Sequence, residues 1–183
     1  MAWCTAPWAA YGERAGNRRG GQPLTKSVSF TLPNTPFYSS AAYEAQVLAG
    51  INAARASGYS CATGKNDGPR RPPLTRSAVL DRAALGQAIA MPVANFMDHT
   101  SALDGSTPDQ RIRAAGYPNA STSENLAAGQ PTPTEAVEGW KYSPTHCAAL
   151  MGDYAETGVA YVKAPGSQYT HYWVQVFGRR AAP

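Results

Sequence analysis

The sequence predicts an α+β domain built on an antiparallel sheet, and three observations carry that reading. In SSAAYEAQVLAGINAARASG, Tyr43, Val47, Ile51 and Ala54 recur every three to four residues, the period of an amphipathic helix. After Met151 the period becomes two, in TGVAYV and YTHYWVQVF, as in strands with one face toward a core. Helices and strands are mixed without a βαβ rhythm, which argues against parallel crossover units.

The elements follow in order. Residues 1–38 read as a basic, Gly- and Pro-containing arm, with SVSFTL its one strand-like run, and residues 39–183 as the domain. The first helix stops at Gly58, and the loop YSCATGKNDGPRRPP follows. SAVLDRAALGQAIAMPVANFMDH is the second helix, with Leu80, Ala84 and Ala88 on one face and a kink or break expected at Pro92. Thr107-Pro108-Asp109-Gln110 and Thr132-Pro133-Thr134-Glu135 each set a capping threonine, a first-turn proline and a Gln or Glu that reaches back to the cap. These start a third helix ending at Gly116 and a fourth running to about Trp140. KAPGSQ then links two strands as a hairpin loop, with room left for short strands near Glu124.

Composition narrows the class. The chain has 183 residues, enough for one domain with its own core. Only 15% are charged, against a usual share of roughly 25%, and 17 Gly with 15 Pro suit a loop-rich extracellular domain better than a coiled coil. No run of about 18 apolar residues is present, so no membrane span is expected. The net charge of +4 is uneven: residues 1–36 hold four basic groups and one acidic (+3), and the remaining 12 basic and 11 acidic groups leave +1. A nearly neutral domain without a basic, aromatic-laced stripe excludes a nucleic-acid partner. MAWCTAPWAAYGERAGNRRGG lacks the apolar run of a signal peptide, so the expectation is either another route or a missing leader. Of Cys4, Cys61 and Cys147, at least one has no partner in the chain. A Cys61–Cys147 bridge would close a long loop and indicate an oxidising compartment; the alternative is two buried free thiols.

In so weakly charged a chain, His99 in FMDHTSALDGSTP and Glu124 and His146 at the ends of SENLAAGQPTPTEAVEGWKYSPTHC stand out. Two neutral imidazoles suit a weakly held zinc or other divalent ion, with water at the open positions. Glu124 is then a third ligand, an orienting group behind an imidazole, or the candidate base on a metal-bound water. A bland reading stands beside each: His99 capping the second helix, His146 a satisfied histidine beside a cysteine, Glu124 bonding backbone N–H groups of its turn. Ser143 and Cys147 lie near His146, but no strained nucleophile turn surrounds them. Trp140 and Tyr142 either line an apolar ligand groove at a helix end or, for Trp140, belong to the core. His171 reads as a surface or cleft-edge residue.

As a set, FMDHTSALDGSTPDQRIRAAGY, SENLAAGQPTPTEAVEGW, SPTHCAALM, VLAGINAAR and TGVAYV…YWVQVFG resemble the successive signatures of bacterial CAP (SCP) domains, the superfamily of cysteine-rich secretory, antigen 5 and pathogenesis-related 1 proteins, over about residues 40–178. The resemblance implies a three-layer α-β-α sandwich with a central antiparallel sheet, and a shallow cleft in which His99, Glu124 and His146 face each other. It also implies a Cys61–Cys147 disulfide and a secreted location, and the chain is expected to be a monomer that serves as an extracellular binding module for a protein or lipid ligand. A metal-assisted hydrolase and a lipid- or sterol-binding protein are the alternatives. The second acidic residue of eukaryotic members falls near Ser143, where this chain has no carboxylate, and Gln87 stands where a further histidine is frequent.

Overall fold

A computed structural model describes residues 36–180, with the backbone alone at residues 119 and 120. The expected arm, with SVSFTL and Cys4, therefore lies almost wholly outside the described residues.

Helix α1 spans Ala41–Ser57, between a Ser40 hydroxyl that accepts from Tyr43 N–H and a left-handed Gly58. Its apolar stripe buries Val47, Ile51 and Ala54. Strand β1 is only Thr75–Arg76, and α2 runs Ala78–Ala94. Pro92 does not break α2. It sits in the last turn, where a missing N–H costs a single helix bond, and the helix ends instead at Asn95, which takes a left-handed φ of 51°. Helix α3 (Pro108–Ala114) and helix α4 (Pro133–Tyr142) both begin with complete capping boxes. Between them lies β2 (Asn119–Ala128), a full strand of 10 residues rather than a short one. A fifth helix, α5 (Pro144–Leu150), precedes β3 (Glu156–Lys163) and β4 (His171–Arg180).

The sheet order is β1-β3-β4-β2. The pairs β3–β4 and β2–β4 are antiparallel, as expected, while β1 adds a short parallel pairing to β3 and makes the sheet mixed. One face carries α2 and α3 over Ala160, Val162, Val174 and Val176. The other carries α1, α4 and α5 over Val159, Tyr161, Trp173 and Phe177. This is the expected α-β-α sandwich. Its layers approach closely at Gly158, where a Cβ would stand 2.1 Å from the backbone carbon of Leu80 in α2.

The disulfide joins Cys61 to Cys147 with Cα atoms 5.7 Å apart, tying the loop after α1 to α5. Arg55 reinforces the same region. It is 1% exposed, and its guanidinium donates to the carbonyls of Pro72, Leu150, Gly152 and Tyr154.

Candidate functional site

Strand β2 is an edge of the sheet, so residues alternating along it reach both layers. Leu126 packs into the α2/α3 layer and Ala127 into the other, so Glu124 shares the face of Leu126 and Asn125 that of Ala127. Glu124 Oε1 lies 2.9 Å from His99 Nδ1. An ionised carboxylate only accepts, so Nδ1 carries the proton and the other ring nitrogen is left for a ligand. Glu124 Oε2 accepts from Arg111 Nη2 at 2.8 Å. The Glu124 side chain is 1% exposed and that of Arg111 10%, while the His99 ring is half exposed.

Arg111 has no place in the sequence reading, yet it holds the site together. Its guanidinium also donates to Ser106 O and His99 O. The Thr107 capping box sets where α3 starts, and with it where Arg111 projects. A second support is Gln87, fully buried on α2, whose Nε2 donates to Asp98 O at 2.6 Å and anchors the loop that carries His99. Thr100 N–H caps on Asp98, and Ser106 N–H on Asp104. His99 therefore does not cap α2, a role taken by Asn95.

His146 comes from α5, on the opposite layer, and Asn125 Nδ2 holds its backbone carbonyl at 3.1 Å. Burial depresses the basicity of His146, and the charge of His99 depresses it further. The hydrogen bond to Glu124 raises the His99 pKa against the opposing effect of burial. His171, by contrast, bonds Tyr161 OH at 2.8 Å, away from this group.

The sequence expectation of a weakly held divalent ion can be set against the donor set. Glu124 Oε1 meets His99 and Oε2 accepts from Arg111, the arrangement of a carboxylate that orients an imidazole from behind. The two imidazoles remain. Among the described residues no group of three or more His, Cys, Asp or Glu is placed to hold a metal ion. A nucleophile is not set up either: Cys147 is fully buried in the disulfide, and the Ser143 hydroxyl meets Thr145 rather than a histidine.

The expected groove at Trp140 and Tyr142 is corrected. Trp140 is 1% exposed and its indole N–H donates to Leu126 O, which makes it core. Tyr142 stands out in solvent at 78% exposure. A separate open groove lies between α1 and α4, with a volume of about 420 Å³, walled by Ala53, Tyr59 and Val137 together with Gln46, Glu138 and Lys141.

Comparison with known proteins agrees with this architecture. Residues 48–177 match the model of the cysteine-rich secretory protein family, CAP. The uncharacterized protein YkwD of Bacillus subtilis is 29% identical over 159 residues, 86% of this chain and 56% of that protein, so the chain spans little more than half of that relative. An outer surface protein from Borrelia burgdorferi superposes with a TM-score of 0.61 at 24% identity, covering 80% of this chain and 100% of that one. An extracellular protein containing an SCP domain from Bacillus anthracis gives 0.52 at 24% identity over 60% of this chain and 34% of that one. The two structural likenesses show the fold, and the family match shows the lineage: the chain belongs to the cysteine-rich secretory protein (CAP) family.

Proposed function

We propose that the chain is an extracellular binding module that presents the rim formed by His99 and His146 to its ligand. What supports this reading is the arrangement around Glu124, which orients His99 with one oxygen and is held by Arg111 at the other, while among the described residues no group of three or more His, Cys, Asp or Glu is placed to hold a metal ion. The metal-assisted hydrolase needs both histidines and this carboxylate. The Cys61–Cys147 disulfide suits an oxidising compartment, and the Bacillus anthracis and Borrelia neighbours are described as an extracellular and an outer surface protein. Among the described residues no helix is long and apolar enough to cross a membrane. Ester and peptide substrates, offered with and without zinc to the native chain and to Glu124→Gln, test the reading. Turnover is expected to stay at background in both proteins; turnover that Glu124→Gln abolishes would establish the metal-assisted hydrolase instead.

The groove between α1 and α4 favours a second reading, binding of an amphipathic lipid. Its volume falls within the range of small-molecule sites, and its walls mix apolar residues with groups suited to a polar head. Val137→Trp would fill it. That variant is expected to lose any fatty-acid binding while His99→Ala retains it.

A further inference from the structure

We infer that Arg111 acts as a built-in cation on Glu124, and that this makes the cleft select against zinc-like divalent ions. A two-histidine cleft holds a metal only weakly unless negative charge lies behind the imidazoles. The carboxylate behind His99 would supply that charge, and here a guanidinium 2.8 Å away cancels it. The guanidinium does not leave Glu124 Oε2 bare. Nor does it swing aside: it is anchored on Ser106 O and His99 O as well as on Glu124, and its side chain is 10% exposed.

The other neighbouring charges do not restore the balance. Asp98 and Asp104 are engaged as caps for Thr100 N–H and Ser106 N–H. Position 143, where a second acid would help, is a serine bonded to Thr145. An ion on these imidazoles would thus sit beside a fixed positive charge. The inference concerns charge selection alone and stands whichever ligand the rim binds.

Zinc chloride titrated by calorimetry into metal-free protein near pH 7.5 reads the effect directly. The native chain is compared with Arg111→Lys, which keeps the charge, and with Arg111→Met and Arg111→Gln, which remove it. Melting temperatures and histidine NMR signals report that each variant retains its folded cleft. Native protein and Arg111→Lys are expected to bind weakly, and the neutral variants at least about tenfold more tightly, since an opposite or like charge at this range is worth about a decade in affinity. The Gln variant retains donors for Ser106 O and His99 O, so it serves if Arg111→Met fails to fold. Equal zinc affinity in the lysine and neutral variants would overturn the inference. So would a native Kd below about 1 μM.

Discussion

The chain drives the basicities of His99 and His146 in opposite directions. The Glu124 hydrogen bond raises the His99 pKa above the ordinary 6.5, while burial and then the His99 charge lower that of His146 below it. The signs for stability follow. The His99 contribution is complete below about pH 6.5 and is lost as pH rises through its raised folded value. The His146 contribution is complete above about pH 6.5 and is lost as pH falls through its depressed folded value. NMR titration of the ring Cε1–H signals should therefore place His99 above His146, and in Glu124→Gln the His99 midpoint should fall. An unmoved His99 midpoint would mean that the contact with Glu124 does not form in solution. Residues like these were partly legible in the sequence. His99, Glu124 and His146 stood out because a weakly charged chain rarely leaves such groups idle. Arg111 did not, because nothing in TPDQRIRAAG separates it from Arg113, two positions along the same helix. The side chain of Arg113 is 67% exposed and pairs with Asp109, whereas Arg111 turns inward. Only the docking of α3 on β2 distinguishes them.

Elements were legible where burial and period coincide. Helices α1 and α2, both capping boxes and the β3–β4 hairpin follow their patterns. Strand β2 was largely hidden, because Glu124 and Asn125 are both buried, 8% and 1% exposed, and place polar groups where an alternating pattern would put an apolar one. Helix α5 was missed for a different reason: its 7 residues are too few to show a period, and Ser143 both ends α4 and starts α5. Among the described glycines, the closest approach is that of α2 on β3 at Gly158, fixed further by Val159 N–H donating to Asp81 Oδ1. A Cβ there meets helix backbone rather than a side-chain tip that can turn away. Gly158→Ala is expected to lower stability by about 3 kcal/mol, at the upper end of overpacking effects, in urea unfolding. A loss under about 0.5 kcal/mol, the level of an inert surface change, would show that α2 lifts off the sheet without strain.

Across the whole molecule, the rim depends on bringing α5 from one layer and the His99 loop from the other to the same sheet edge. Three tethers hold α5: the disulfide through Cys147, Asn125 at the His146 carbonyl, and Arg55 at the Leu150 and Gly152 carbonyls. They act on different states. The disulfide spans a sequence separation of 86 residues, and constraint of the unfolded chain over such a loop is worth about 4–5 kcal/mol in the chain-entropy model. Arg55 acts in the native state, because four carbonyls lose their donors if it is removed. The double variant Cys61→Ser/Cys147→Ser should therefore lose stability on the order of 10 °C in Tm, while the native His146 resonance stays in place. Arg55→Met should lose about 3 kcal/mol and move that resonance as well, since the C-terminal turn of α5 then loses its guanidinium anchor. If instead the disulfide variant shifts His146 and Arg55→Met does not, the covalent tether positions the rim and the buried guanidinium only stabilises the fold behind it.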